Sequence, residues 1–265
     1  MSADPIPLIH PTAVIHPEAR LAPGVRVGPY AVIDAGVQLD AGCVVGPHVH
    51  LTGRTTIGPD NRFHAGCVIG DAPQDLGYTD APTELRIGAG NVFREHVTVH
   101  RSNRVAEPTR IGSHGFFMAH CHVGHNCQVG DRVILANGVL LGGHVTVGDR
   151  ANLGGNAIVH QFVRVGMLAM MQGGSAISLD LAPYTVSRKE NQLAGLNTIG
   201  LRRAGLTEAE RLELRRLYHL LFLGGRGPRA AVADAEREAR SEWGRRLVRF
   251  VAASRKGLVR PRPKK

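Results

Sequence analysis

A period of six residues runs through the first two thirds of the chain and constrains its fold more than any other feature. The periodic positions are apolar, and the residue four places after each of them is nearly always small. They are Ile9, Ile15, Leu21, Val27, Ile33, Leu39, Val45, Leu51, Ile57, Phe63, Ile69, Ile87, Phe93, Val99, Ile111, Phe117, Val123, Val129, Leu135, Leu141, Val147, Leu153, Val159, Val165, Met171 and Ile177. A period of six matches neither the helical 3.6 nor the strand period of two. It predicts a coil with flat faces.

Three hexapeptides complete one such coil, and successive coils lie about 4.8 Å apart, which is the usual spacing of strands. The apolar residue fills the interior, and the small residue lets the chain turn at a corner. The pattern resembles that of the left-handed hexapeptide-repeat acyltransferases. It therefore predicts a mainly β fold, with a left-handed parallel β-helix over residues 1–185.

Two polar segments interrupt the period, at about 71–86 and 100–109, and are predicted to be loops that carry function. After residue 185 the pattern becomes helical. Thr207 and Glu210 form a predicted capping box, and apolar residues follow at helical spacing. A small α-helical domain is therefore expected at 186–265, and its basic tail, "RPRPKK", is expected to be disordered.

The positive charge is concentrated in the last quarter of the chain. Residues 201–265 hold 18 Lys and Arg against 7 Asp and Glu, whereas residues 1–200 hold 14 against 15. From charge alone this segment is a solvated surface, a nucleic-acid site or a docking surface for an acidic protein. The chain shows no signal-peptide pattern and no apolar stretch of about 20 residues. We therefore expect a cytoplasmic protein without a membrane span.

The segment "AHCHVGHNCQVGD" at 119–131 has the composition of a metal site. However, all the cysteines of the chain fall four places after a periodic residue, in the small inward position. They are Cys43, Cys67, Cys121 and Cys127. A free cysteine packs well as a small buried residue. We therefore predict that these thiols belong to the core and that the protein holds no metal.

The histidines of this segment fall at outward positions instead. With 18 residues per coil, Gly143 stacks above His125 and Gln161 above Gly143. His122, His144 and His160 flank that column, which predicts a polar cleft. A neutral imidazole can accept a proton from a hydroxyl near pH 7. The unobstructed N–H of Gly143 is suited to bind a developing oxyanion.

Five segments extend the resemblance to one enzyme family: "AHCHVGHN", "LGGHVTVGD", "VHQF", "QDLGY" and "GLNTIGLRRAG". Together they resemble the UDP-N-acetylglucosamine O-acyltransferases of lipid A biosynthesis. The resemblance implies transfer of a 3-hydroxyacyl chain from acyl carrier protein to the 3-position of UDP-N-acetylglucosamine, the first step of lipid A biosynthesis. It also implies a homotrimer with active sites between subunits, no cofactor and no nucleic-acid partner.

The same resemblance assigns roles to individual residues. It makes His125 the general base and Gly143 the oxyanion donor. The substrate-binding residues that it implies are Asp75, His122, His144, His160, Gln161, Asn197 and Arg203. It places the acyl-chain ruler at Gly173, where a glycine leaves space for a longer chain, and Met170 is expected to shorten that space. The surplus of positive charge adds Arg202, Arg215 and Arg216 as a docking surface for the acidic carrier protein.

Three residues depart from the family pattern. Gly77, Ile199 and Ala204 stand where the family usually has lysine, glutamate and arginine. These changes remove polar contacts, so a 3-amino analogue of the acceptor stays an alternative, and the acyl length is open.

A second alternative is a zinc-dependent enzyme like the hexapeptide-fold carbonic anhydrases. It would use His120 and His125, with His96 or His100 as the third ligand. The C-terminal helical segment argues against it, because a metal hydratase has no need of one.

Overall fold

The computed structural model describes residues 8–262, and the predicted left-handed parallel β-helix is confirmed. Three sheets form the faces of the coil. Sheet 1 contains Val14–Ile15, Val32–Ile33, His50–Leu51, Val68–Asp71, Thr98–His100, His122–Val123, Leu140–Leu141, Ile158–Val159 and Ala176–Ile177. Sheet 2 contains Arg20–Leu21, Val37–Leu39, Arg54–Ile57, Glu84–Ile87, Thr109–Ile111, Gln128–Val129, Thr146–Val147 and Arg164–Val165. Sheet 3 contains Arg26–Val27, Val44–Val45, Arg62–Phe63, Val92–Phe93, Phe116–Phe117, Ile134–Leu135, Asn152–Leu153, Met170–Met171, Thr185–Arg188 and Gln192–Leu196.

The register of the strands follows the period of the sequence. His122 pairs with Leu140, and Leu140 pairs with Ile158, so each coil takes 18 residues where no loop intervenes. From Val27 onward the periodic apolar residues are buried, and so are the four cysteines. The interior is therefore a column of stacked side chains whose composition the six-residue period dictates.

Both predicted loops are present, and both are shorter than predicted. The first spans residues 72–83 and the second spans residues 101–108. The predicted range 71–86 was too wide because Glu84–Ile87 pairs in parallel with Arg54–Ile57 and continues sheet 2.

The helical domain begins later than the predicted residue 186. Residues 185–196 form an antiparallel hairpin that continues sheet 3, because Thr185–Arg188 pairs with the strand at Met170–Met171 before the chain folds back. Loss of the six-residue period marks the end of the regular coil, but a strand can still follow that end. The helices are α1 (Thr198–Arg203), α2 (Glu208–Phe222), α3 (Pro228–Glu238) and α4 (Glu242–Ala252).

Side-chain caps fix the starts of three of these helices. Asn197 caps α1, Ser241 caps α4, and Thr207 with Glu210 forms the predicted capping box of α2. Leu214 and Leu217 of α2 are fully buried, as their helical spacing predicted. The helical part of the chain therefore begins at Thr198, after the hairpin.

The basic tail is partly ordered, contrary to the prediction. Arg260 pairs with Gln192, and Leu258 pairs with Asp180, so the C-terminal segment returns to the end of the coil. The remaining residues of the predicted disordered tail, 263–265, lie outside the described residues. Within residues 8–262, no helix is both long and apolar enough to cross a membrane.

Candidate active site

In most hexapeptides of the described coils, one backbone N–H makes no hydrogen bond to a backbone carbonyl. It lies two places after the periodic apolar residue. Prolines, which have no N–H, occupy this position at Pro11, Pro17, Pro23, Pro29, Pro47 and Pro59. Along another corner, the N–H groups of Ser113 and Asp131 bind carboxylate oxygens of the next coil at 2.7 and 2.9 Å. This position therefore offers a donor that readily binds an anionic oxygen.

His125 and Gly143 occupy this position in adjacent coils. The predicted stacking is confirmed, because the N–H of His144 donates to the carbonyl of His125 at 2.8 Å. A Cβ atom added to Gly143 would lie 2.6 Å from Nε2 of His125. Only glycine therefore leaves room for this imidazole. In the part of the chain that the structure describes, the N–H of Gly143 donates to no protein acceptor.

The tautomer of His125 follows from its neighbour Asn126. Asn126 Nδ2 donates to Ser102 Oγ at 2.7 Å, and its Oδ1 accepts the N–H of Asn103 at 3.0 Å. Nδ1 of His125 lies 2.8 Å from the same Oδ1, so Nδ1 must carry the proton and donate it. Nε2 is then the unprotonated nitrogen, which is the form that a general base requires.

His125 and Gly143 line a groove of about 600 Å³ along sheet 1. Its walls are mixed, since outward-facing Leu140 and Ile158 follow His122 in successive coils of sheet 1. The lining residues are Gln74, His100, His122, Gly124, His125, Leu140, Leu141, Gly142, Gly143, Ile158, Val159, His160 and Gln161. Polar groups at one corner and apolar side chains along the strand suit a ligand with a polar end and a hydrocarbon chain.

The other predicted histidines lie beside His125. Burial lowers the pKa of His122 to about 4, and positive charge on His100 or His125 acts in the same direction. His144 packs edge-on against His125, with ring centroids 5.1 Å apart, and stacks on Phe162. Burial also lowers the pKa of His144. Both rings are therefore neutral near pH 7 and cannot repel His125 when it takes up a proton.

Asp75 lies in the first loop, next to Gln74 of the groove. Its side chain accepts from Asn103 Nδ2 at 2.7 Å and from the N–H of Gly77 at 2.9 Å. These hydrogen bonds, first that of Asn103, lower the pKa of Asp75, and its charge acts on His125 and His144. The loop thus holds an ionised carboxylate close to the histidines.

Asp75 and His144 lie beside this groove without lining it, and four other predicted site residues stand apart from it. Asn197 caps α1, with Oδ1 accepting from Gly200 and Nδ2 donating to the carbonyl of Leu168. Arg203 is exposed at the end of the same helix. Met170 and Gly173 belong to sheet 3 and to the corner that follows it, whereas the groove lies on sheet 1. Within one chain, then, the nucleotide and acyl-length residues stand apart from His125.

The predicted docking arginines are exposed, and two of them share a second groove. Arg202 and Arg215 line it together with Arg211, around an apolar floor that includes Ile199 and Leu201. Among the described residues, none of Arg202, Arg215 and Arg216 has a carboxylate within ion-pair distance. Their charges are therefore available to a partner.

The ligand set of the zinc alternative is not brought together within the chain. His120 stacks on His96 at the corner that precedes the strand His122–Val123, with centroids 5.2 Å apart. His125 lies at the corner that follows this strand. The His-x4-His spacing therefore separates the two rings instead of pairing them.

Sequence reasoning missed two residues of the site, Asn126 and Asn103, and it named His100 only as a possible zinc ligand. Asn126 has a left-handed backbone (φ 60°), so its sequence position indicates only a turn. Asn103 lies in the irregular second loop, where the period gives no information. His100 lines the groove, and its Nδ1 donates to the carbonyl of Ala72 at 2.5 Å. Its place immediately after the periodic Val99, where the second loop begins, was the available signal.

Comparison with known proteins identifies close relatives. Residues 180–259 match the family model for domain 2 of UDP-N-acetylglucosamine O-acyltransferase. An acyl-[acyl-carrier-protein]–UDP-N-acetylglucosamine O-acyltransferase of Syntrophobacter fumaroxidans is 42% identical over 95% of this chain and 99% of its own. One from an Anaeromyxobacter species is 42% identical over 79% of this chain and 83% of its own. The crystal structure of the UDP-N-acetylglucosamine O-acyltransferase of Moraxella catarrhalis superposes with a TM-score of 0.91 at 35% identity, covering 95% of this chain and 99% of that one.

Proposed function

The chain belongs to the acyl-[acyl-carrier-protein]–UDP-N-acetylglucosamine O-acyltransferase family, and we propose how its groove performs that transfer. The donor is a 3-hydroxyacyl chain on acyl carrier protein, and the acceptor is the 3-hydroxyl of UDP-N-acetylglucosamine. The product enters lipid A biosynthesis at its first step. The observation that carries the proposal is the stacking of the unprotonated Nε2 of His125 against Gly143, whose N–H is free.

His125 is the general base of the reaction. Its Nε2 takes the proton of the sugar hydroxyl as the oxygen attacks the thioester carbonyl of the donor. Asn126 holds Nδ1 as the donor nitrogen and keeps the ring in this tautomer throughout. The imidazolium that forms then protonates the departing thiolate sulfur, which leaves as the free thiol of the carrier. A carbon–oxygen bond replaces the carbon–sulfur bond, and the histidine returns to its starting state.

Gly143 stabilises the charge that develops on the carbonyl oxygen. Its N–H is fixed by the coil before the substrate arrives, so it needs no reorganisation during the reaction. The hydrogen bonds that Ser113 and Asp131 make from the equivalent position, at 2.7 and 2.9 Å, support this role. His122, His160 and Gln161 contact the acceptor sugar from the adjacent coils, and Asp75 contacts it from the first loop.

The working enzyme is a homotrimer with each groove completed by a neighbouring subunit. Two observations support this arrangement. Leu140 and Ile158 are 42% and 48% exposed on the open wall of the groove, although both are large and apolar. Asn197 and Arg203 stand apart from His125 of their own chain, so they reach a nucleotide only in the groove of a neighbour. Met170 and Gly173 act on the acyl chain in the same way.

An acyl-transfer assay tests the proposal. Purified protein is mixed with UDP-N-acetylglucosamine or its 3-amino analogue and with carrier protein loaded with several 3-hydroxyacyl lengths, and products are identified by mass spectrometry. We expect an ester at the 3-position. His125→Ala should lower kcat/KM by about 10²–10⁴-fold because the general base is lost. Gly143→Ala should be comparably inactive because its methyl group, 2.6 Å from Nε2, would displace the imidazole from its position beside the N–H of residue 143.

His16→Ala is the matched control, because His16 is an exposed histidine near the N-terminal end of the β-helix. It should keep full activity. Near-normal turnover in His125→Ala would contradict the assignment of the base. Exclusive use of the 3-amino analogue would show that the acceptor is an amino sugar.

A further inference from the structure

A chain of hydrogen bonds joins the first loop to the catalytic histidine through a residue that the reaction scheme does not use. Asn103 Nδ2 donates to Asp75 Oδ2 at 2.7 Å. The N–H of the same asparagine donates to Asn126 Oδ1 at 3.0 Å, and His125 Nδ1 donates to that oxygen at 2.8 Å. Asn103 is thus bonded on one side to the carboxylate that meets the sugar and on the other to the residue that orients the base.

The remaining atom of this amide has no partner. Asn103 Oδ1 is buried and makes no hydrogen bond to any residue that the structure describes. A buried acceptor without a donor costs stability, and such atoms are rare in folded proteins. An asparagine that only closed the loop would gain by turning its oxygen towards a donor. The loss of stability is explained if the amide has to keep this orientation so that its nitrogen can donate to Asp75.

Asp75 depends on this bond for its direction. Among residues 8–262, its other oxygen accepts only from the N–H of Gly77 in its own loop, and no second side chain hydrogen-bonds to it. The loop itself has a separate tether, because Arg101 Nη1 donates to the carbonyl of Gly70 at 3.0 Å and its guanidinium lies over the ring of Tyr78. Loss of the Asn103 amide would therefore free the carboxylate without releasing the loop.

Building on the proposed function, we propose that Asn103 is a positioning residue that directs Asp75 towards the acceptor sugar while its backbone N–H fixes Asn126. The two functions separate on substitution. A change of side chain removes the bond to Asp75 but leaves the backbone N–H, and therefore the tautomer of His125, intact. The effect should accordingly fall on acceptor binding and leave the chemical step nearly unchanged.

Steady-state kinetics and thermal unfolding of three variants test this. Asn103→Ala should raise KM for the nucleotide sugar about tenfold, with kcat and carrier KM nearly unchanged, because a hydrogen bond to a charged group is lost. Its Tm should not fall by more than about 2 °C, because the substitution removes the unpaired Oδ1 together with the hydrogen bond to Asp75. Asn103→Asp should raise KM further at pH 8, because two carboxylates would then face each other. Its KM should recover towards pH 5 as they share a proton.

Val105→Ala, an exposed residue of the same loop, is the control and should match the wild type. Two results would overturn the inference. One is an unchanged acceptor KM in Asn103→Ala. The other is a loss of activity that follows a lower Tm, as a merely structural residue would give. If instead the wild-type protein acylates no nucleotide sugar, the proposed function itself fails, and the two failures are thus distinguishable.

Discussion

At the scale of single residues, the site consists of ordinary groups whose environment selects one protonation state. Asn126 is locked by Ser102 and Asn103, so it presents only an acceptor to His125. The protein therefore sets a tautomer without placing a negative charge beside the base. His122 is kept neutral by a different means, since its ring is largely buried and bonded to Thr98.

The buried imidazole of His122 makes the stability of the protein depend on pH. Its pKa is near 4 in the folded state against about 6.5 when unfolded, so the unfolded chain binds more protons between these values. The free energy of unfolding should therefore fall as pH drops from about 6.5 to 4, by an amount on the order of 3 kcal/mol for this group. Thermal melts across this range, compared with His122→Gln, measure the contribution.

His219→Gln is the control for that series, because His219 is exposed on α2. Between pH 6.5 and 4, the Tm of His122→Gln should fall less than the Tm of the wild type. The Tm of His219→Gln should fall as much as that of the wild type. Identical pH profiles for all three proteins would contradict the buried neutral state of His122.

At the scale of elements, the corner of each coil separates structural residues from functional ones. Cys121 and Cys127 point inward at the same corners from which His122 and His125 point outward. Burial raises the pKa of the Cys121 thiol to about 11 and that of the Cys127 thiol to about 12. Such thiols stay protonated at neutral pH and are poor ligands and nucleophiles.

Replacement of these cysteines should leave catalysis intact. Cys121→Ala and Cys127→Ala should keep kcat within about threefold of the wild type, with a stability cost of about 1 kcal/mol from lost packing. Alanine already fills the equivalent position at Ala151 and Ala157. Activity assays test the first statement. Titration with a thiol reagent should find the native cysteines unreactive and the denatured ones accessible; a fast-reacting native thiol would disprove their burial.

The same elements explain which parts of the site the sequence predicts. The column of His125, Gly143 and Gln161 follows from a fixed period, because each coil repeats the same directions. Asn103 and Ser102 could not be predicted, since their positions depend on contacts between two irregular loops. The hairpin at 185–196 was missed because its residues no longer follow the six-residue period, and the loss of that period was taken as the start of the helices. The roles of Asn197 and Arg203 stay predictions, since both residues stand apart from His125 within one chain.

At the scale of the whole molecule, the positive charge is concentrated in the C-terminal part of the chain. The chain carries a formal net charge of +10, and residues 201–265 account for that surplus. On α1 and α2 this charge lies beside an apolar floor, around Arg202 and Arg215. Acyl carrier protein is acidic, so the positive electrostatic field of the helical domain should guide it towards the groove that contains His125. This attraction should act mainly on the association rate.

Reversal of charge at Arg202, Arg215 and Arg216 to glutamate should raise KM for the acyl carrier protein and leave KM for the nucleotide sugar unchanged. The effect should shrink as salt is added, because the Debye length is about 8 Å at 0.15 M. The matched control reverses Arg20, Arg26 and Arg62, which are exposed on the N-terminal coils. An equal rise in carrier KM for both triple variants would indicate a general effect of net charge and exclude a docking surface.

The pairing of each strand with those one coil before and after it has a consequence for how the gene can change in length. A deletion or duplication of 18 residues outside the groove removes or adds one whole coil, so every remaining side chain keeps its face. A change of six residues would rotate everything beyond it by one face and carry Gly143 away from His125. An addition of any other length, six residues included, has to leave the coil entirely to avoid this rotation, as residues 72–83 and 101–108 do. The chain can therefore change in length only by whole coils, or by loops outside the coil, if Gly143 is to stay stacked on His125.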